Sequence, residues 1–418
     1  RLSLDAREPA MTAPGSGVPS LADAGVGSAL RRRPPLVLMF AVTVTGILGN
    51  TLITAPSPDI LRAFSQPDSR AGWITASATL PGILVAPIIG FLADRFGRRA
   101  ILVPCLAIFG IFGVAAAFAT SFEMLLLFRL GQGFGSAGLI NLAVVLIGDH
   151  WTGEERARFI GFNAAVLTAS ITVLPVVGGA LTAWGGWRWS FAPYGLALIT
   201  AWAVWKTLEG GDGRPGLAVS DQLGDAWVVL RVPAVSIAIG LGFVLFALIF
   251  GLFLTVMPIL LDRQFGLDAF HRGIWLAVPA LGSTTAALLL TRTRRRVGVR
   301  GLMLLATVFI AMGFGFIGLA VVLPALFVAS YFYGLGEGSL IPTLQDVVAS
   351  VAPTASRGAV IAVWVGAARA GQTVGPLLSG KALDIMEPST VFLVGGLVAA
   401  LLVPVQLVVR RHLVDAGG

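Results

Sequence analysis

Twelve stretches of mostly apolar residues are strung along this chain, at 35–58, 72–93, 100–120, 123–147, 158–182, 189–206, 234–261, 273–291, 301–320, 323–346, 358–382 and 390–409. About 20 such residues are needed for a helix to cross the hydrocarbon core of a bilayer. No water is available there, so backbone amides and carbonyls must bond one another, and only helices or closed barrels achieve that. The short alternating strands of a membrane barrel are not seen. The sequence therefore predicts an all-α integral membrane fold with twelve spans. Composition agrees: 56% of the 418 residues are hydrophobic and 12% are charged, against about 25% charged in soluble chains. That leaves too little polar surface to cover a water-soluble body.

The formal charge of +8 does not point to nucleic acid, because the basic residues lie in turns between apolar runs. Positive charge in short loops orients membrane proteins. One side collects Arg31–Arg33, Arg95, Arg98, Arg99, Arg156, Arg158, Arg292, Arg294–Arg296, Arg300, Arg410 and Arg411; the other has Arg62, Arg70, Arg188, Arg263 and Arg272. The expected location is a cytoplasmic (inner) membrane, with both termini cytoplasmic. Cys105 is the single cysteine, so no intrachain disulfide forms. His150, His271 and His412 lie at helix edges or tails, which excludes a buried histidine metal cluster. No metal or other cofactor is expected. No G-x-x-x-x-G-K-[ST] run marks an ATP site.

The expected organisation is an N-terminal tail (1–34), a six-helix bundle (35–206), a polar cytoplasmic linker (207–233), a second six-helix bundle (234–410) and a C-terminal tail (411–418). The first tail lacks the apolar region of a cleavable signal and reads as disordered, with Met11 as the natural start. The two bundles repeat. Gly133-Phe-Gly-Ser136 answers Gly336-Glu-Gly-Ser339, and Thr172-Val-Leu-Pro-Val-Val-Gly-Gly179 answers Thr373-Val-Gly-Pro-Leu-Leu-Ser-Gly380. The basic turn Asp94–Arg99 answers Arg292–Arg300, where the acid is lost. Internal repeats of this kind mark secondary transporters, with substrate held near the midplane between them.

Three motifs carry a family resemblance. Gly90-Phe-Leu-Ala-Asp-Arg-Phe-Gly-Arg-Arg99 follows the second span, Arg129-Leu-Gly-Gln-Gly-Phe-Gly135 lies on the fourth, and Pro175-Val-Val-Gly-Gly179 on the fifth precedes Trp187-Arg-Trp-Ser-Phe191. These resemble the major facilitator superfamily, and within it the 12-helix drug:proton antiporter branch. Departures exist. Ser170 and Leu174 stand where the antiporter motif has glycines, the fuller G-x-x-x-G-P form is at Gly371–Pro376, and Gly49-Asn50-Thr51 lacks the acid that some branches carry.

The resemblance implies that Asp94 docks at the start of the eleventh helix, near Gly358, and holds one side closed. It also implies a part for Arg129 in proton transfer, and a central cavity lined by helices 1 and 7. A carboxylate suits a helix N-terminus, and Arg98 can reach Asp149. The candidate gating set is Gly90, Asp94, Arg95, Gly97, Arg98 and Asp149; a topology-setting basic loop is the plainer reading. Arg129 lies about 9 Å deep at 1.5 Å per residue. A charge at depth is by default functional, although a structural bond to helix 1 is the alternative. Glu337 and Arg369 reach about 14 and 18 Å from the same side. Adjacent helices are expected to pair them, either for proton coupling with Arg129 or as a static brace. Candidate substrate contacts are Thr43, Asn50 and Thr54 on helix 1, Gln132 and Ser136 on helix 4, Asn163 on helix 5, and Gln372 on helix 11. Phe243, Phe246, Phe250 and Phe253 on helix 7 complete that set, with lipid contact as their alternative. Pro175, Gly178, Gly179, Gly375 and Pro376 are expected helix bends.

The resulting expectation is a monomeric secondary active transporter that exports a small amphiphilic or hydrophobic compound against protons. A proton symporter or facilitator for a sugar or organic acid is the alternative within transport. A membrane-embedded enzyme is the alternative of another class, and the clustered acids, histidines or nucleophiles it needs are not found.

Overall fold

Backbone groups shielded from water close on themselves, and every regular element among the described residues is helical. The computed structural model describes residues 33–210, 233–351 and 357–408. The expected tails (apart from 33 and 34) and residues 211–232 of the expected linker lie outside them.

The first span is α1 (Leu36–Thr54), and the chain turns at once into the short α2 (Ser57–Ala63). The second span, α3 (Ala71–Phe96), is bent by 53° between Ala86 and Ile88, with Pro87 at the break; proline removes a helix donor there. The third is α4 (Arg98–Ala115). The fourth combines α5 (Phe122–Ser136) and α6 (Leu139–His150). The fifth is α7 (Gly153–Gly185). A 3-10 stretch, Trp187–Gly195, and α8 (Leu196–Thr207) make the sixth.

The second half opens with α9 (Pro233–Leu248), a π segment (Ile249–Val256) and α10 (Met257–Arg263), together the seventh span. In the widened segment Thr255 Oγ1 donates to the Phe250 carbonyl five residues back, at 2.8 Å. Pro258 follows and supplies no backbone donor, which suits an i→i+5 turn here. Next come α11 (Ala269–Ala277) and α12 (Pro279–Leu319), which hold spans eight and nine. The Asp268 side chain accepts from the His271 amide at 2.8 Å and caps α11. That bond holds the Asp268 carboxyl below its usual pKa. Within α12 the chain turns at Gly298, where φ is 72°, a conformation glycine reaches without a Cβ penalty. Spans ten to twelve are α13 (Leu323–Val351), α14 (Arg357–Ala382) and α15 (Pro388–Val408).

By length and apolarity alone, seven helical stretches among the described residues qualify as membrane spans, and eight with the bent α3. The shortfall from twelve is physical. One qualifying stretch, Ala269–Leu319, contains two spans. The sixth is split by its 3-10 stretch, and α13 and α14 dilute their hydropathy with glycines, Glu337, Arg369 and Gln372.

Two hydrophobic cores form. One runs from Leu38 to Leu208 and the other from Val235 to Ala399. Ile259 joins the first core and Ala55 joins the second, so each half lends one residue at the end where α2 and α10 meet. Glycines set how closely the halves approach there. A methyl group on Gly72 of α3 would lie 2.0 Å from the Pro376 carbonyl oxygen of α14, and one on Gly179 of α7 would lie 2.1 Å from that of Ala269. Small residues of this kind let membrane helices touch backbone to backbone. The helices α7 and α14 run on through Pro175 and Pro376. The glycines beside those prolines act as contact points: Gly178 meets the Leu52 carbonyl and Gly375 that of Ala247. Toward the Asp94 end the space opens, and a methyl group on Gly90 would meet nothing within 4 Å. Accordingly, Gly72→Ala should cost about 1–3 kcal/mol through overpacking and lower the thermal midpoint in detergent. Gly90→Ala should leave that midpoint unchanged.

Candidate functional site

The deepest fully buried charge is answered without a carboxylate. Arg129 on α5 donates from Nη1 to the Gly49 carbonyl at 2.6 Å and to Gln132 Oε1 at 2.5 Å. Its Nη2 reaches Asn50 Oδ1 at 2.8 Å, and its Nε reaches the Ile74 carbonyl at 3.3 Å. Tyr194 Oη adds bonds to the Leu48 and Gly49 carbonyls at 3.0 and 3.1 Å. Arg129 therefore ties α1, α3 and α5 together through neutral acceptors, and it has no exposed surface.

Where α2 meets α10 and α11, charges from both halves close a ring. Arg62 of α2 donates to Asp59 Oδ1 at 2.7 Å and to Asp262 Oδ2 at 2.5 Å. Arg272 of α11, with no exposed side-chain surface, donates to Asp262 Oδ1 at 2.5 Å and to Asp59 Oδ2. Each carboxylate thus accepts one arginine from each half. Burial lowers the Arg62 pKa, but its bonds to Asp262 and Asp59 outweigh this and the net direction is upward, so it stays charged. Beside the ring Arg263 meets Asp68 at 2.5 Å, again across the halves. Further along the same interface, Thr79 Oγ1 and Thr373 Oγ1 lie 2.9 Å apart.

The ion pairs described at the opposite end do not cross. Arg98 holds Asp94 at 2.5 Å and Asp149 at 3.1 Å within the first half, and Arg294 holds Asp346 at 2.8 Å within the second. Gly97, with φ 89°, makes the turn between α3 and α4. Arg95 lies over the Phe96 ring at 5.7 Å. The expected docking of Asp94 at the start of the eleventh helix falls beside residues 352–356, which lie outside the described residues. The Asp94 carboxylate is half exposed and pairs with Arg98.

The remaining candidate residues separate by exposure. Thr43 donates to Asn163 Oδ1 at 2.6 Å, and both are buried. Thr54 donates to the Asn50 carbonyl and Ser136 to the Gly133 carbonyl. Phe253 is buried and stacks on Tyr333 with centroids 4.9 Å apart. These residues and Gln132 are buried in this state. Asn50, Phe243, Phe246, Phe250 and Gln372 are partly exposed. So are Glu337 and Arg369, but their expected pairing is overturned: no ion pair joins them among the described residues. The Arg369 side chain instead runs beside Gly82 of α3 and donates to Gln372 Oε1 at 3.3 Å. Glu337 lies one turn from Tyr333 on α13, whose buried hydroxyl has that carboxylate as its polar neighbour. The cause is rotation about the helix axis: α14 packs mainly on α3 and α9, not on α13.

Sequence reasoning missed the Asp59–Arg62–Asp262–Arg272 ring. A signal existed, since Asp59 and Asp262 are 203 residues apart, the interval between Gly133 and Gly336. Arg272→Gln should release the ring and open that end to thiol-reactive probes at cysteines introduced beside it, and Arg272→Lys should release it less. Arg129→Ala should cost about 3 kcal/mol or more, from stranded acceptors and a cavity, read as a lower thermal midpoint.

Comparison with known proteins accords with this geometry. Residues 38–270 and 239–415 each match the family model described as Major Facilitator Superfamily. The chain is 27% identical over 340 residues to the "Bacillibactin exporter" of Bacillus subtilis (strain 168), covering 75% of this chain and 81% of that one. It is 32% identical over 134 residues to "Multidrug transporter protein MdtP" of the same organism, covering 31% of this chain and 25% of that one. Among solved structures, a bacterial homologue of the human lysosomal transporter Spinster superposes with a TM-score of 0.68 at 20% identity, covering 91% of this chain and 96% of that one. This multi-pass chain belongs to the major facilitator superfamily of membrane transporters and resembles its drug-efflux branch.

Proposed function

We propose that the protein is a secondary active exporter, moving a small amphiphilic compound across the cytoplasmic membrane in exchange for protons. One observation carries this reading. The two halves are fastened by ion pairs and glycine seams at the Asp59 end, while the ion pairs described at the Asp94 end stay within a half. Alternating access needs that asymmetry, and it needs the fastening to be reversible. The pairs made by Arg62 and Arg263 have exposed members and are worth little each, ~0–1 kcal/mol, so they exchange readily; the buried Arg272 is the member that needs new partners when the state changes. The basic turns support a cytoplasmic position for the Asp94 end and both termini. Similarity to the two bacterial transporters supports export.

Coupling is assigned to Glu337. It is an acid deep inside a span, without an ion-pair partner among the described residues and partly exposed. A carboxyl there gains or loses its proton according to which side it faces. Arg129 serves as a clamp that keeps α1, α3 and α5 in one body while the halves rock. The aromatic wall at Phe243, Phe246 and Phe250 takes the apolar part of the cargo. The transporter works as a monomer, since each chain carries both halves.

Everted membrane vesicles test the reading. Wild-type protein should accumulate a fluorescent amphiphile when the vesicle lumen is acidified, and Glu337→Gln should transport it with no response to the gradient. Uptake in right-side-out vesicles instead would indicate a symporter. Full gradient dependence in Glu337→Gln would remove that residue from coupling.

A further inference from the structure

We propose that Arg369 anchors an anionic group on the transported molecule, so that the cargo is an organic acid with an aromatic or aliphatic body. The proposal builds on the transport reading, but it concerns binding and can be measured without transport.

A guanidinium carries five N–H donors and no acceptor. The buried arginines of this protein use theirs: Arg129 makes four bonds, and Arg272 holds two carboxylates. Arg369, in the middle of α14, makes one described side-chain bond, at 3.3 Å to Gln372 Oε1. No carboxylate forms an ion pair with it among the described residues. An isolated cation at that depth costs several kcal/mol. The chain leaves this charge open and partly exposed, beside Gly82 at the crossing of the two halves.

The neighbouring amide points the same way. An arginine can only donate, so the amide oxygen must be the atom that faces it. Gln372 gives its oxygen to Arg369. The remaining end of that partly exposed side chain is therefore an –NH2 donor. Cations and donors without a resident acceptor make a site for an anion. On the same helix, five residues before Arg369, Trp364 meets Phe246 edge-on with centroids 6.4 Å apart, and Phe250 lies 6.4 Å from Phe246. That wall accepts an apolar body. The other candidate, a bound chloride, shares the same donor chemistry and is distinguished by experiment.

The test is equilibrium binding to the purified full-length transporter, read by tryptophan fluorescence. Three probes of one shape are compared: 1-naphthoate, 1-naphthamide and 1-naphthylmethylammonium, each with and without added chloride. The expected result is that naphthoate binds about tenfold or more tightly than the amide, with the ammonium weakest. Arg369→Gln should abolish that preference, Arg369→Lys should keep part of it, and Glu337→Gln should keep all of it. Gln372→Glu supplies an internal carboxylate for Arg369 and should also abolish the preference, which keeps the test decisive if Arg369→Gln fails to fold. The proposal is overturned if the ammonium binds best, if naphthoate keeps its advantage in Arg369→Gln or Gln372→Glu, if chloride alone removes that advantage, or if no probe binds. Anion-selective binding without gradient-driven accumulation in vesicles would sustain this inference and reject proton-coupled export. Gradient-driven accumulation without anion selectivity would do the reverse.

Discussion

A charge inside hydrocarbon has to be answered by the protein, because no water is there to do it. This molecule gives three different answers, and each has its own consequence. Arg129 is enclosed by carbonyls and side-chain amides, which makes it a rigid rivet in the first half. Arg272 is enclosed by one carboxylate from each half, which makes it a fastener between them. Arg369 and Glu337 are partly exposed with no ion pair among the described residues, and the proposed cargo and proton roles rest on that.

The fastener and the glycine seams act at the same end of the molecule. Gly72 and Gly179 allow backbone contact across the halves, and that contact brings Asp59 and Asp262 within reach of Arg272. Packing without side-chain volume gives a contact that can part and re-form with little repacking. The opposite end has the motif loop, in which Gly97 turns the chain and Arg98 gathers Asp94 and Asp149. Those charges stay within the first half and leave it free to move as a unit.

Much of this was legible in the sequence for a physical reason. Hydropathy governs whether a segment crosses lipid, so each of the twelve apolar stretches falls on helix, with ends that differ by several residues, even where a helix runs on through a turn, as at Gly298. The repeat of Gly133–Ser136 at Gly336–Ser339 revealed the two halves. Azimuth was not legible. Depth along a helix follows from counting residues, and it put Glu337 and Arg369 at similar heights, but the rotation of α14 toward α3 depends on packing between distant segments. The polar stripe of α1 was ambiguous for a related reason. In an apolar helix a hydroxyl satisfies itself on its own backbone, as Thr54 does on the Asn50 carbonyl, so a polar face need not mark a cavity. Arg129 has carbonyl partners, which leave no side-chain signature in a sequence.

The central claim is that two rigid halves part at the Asp59 end as they close at the Asp94 end. The most direct measurement is a pair of spin-label distances in the same preparation, one between Gln66 and Gln264 and one between Phe96 and Arg296. When the state is shifted by pH or cargo, the account predicts that the first distance lengthens while the second shortens. If both distances change in the same direction, or both stay fixed while transport proceeds, the halves do not rock and the account is contradicted.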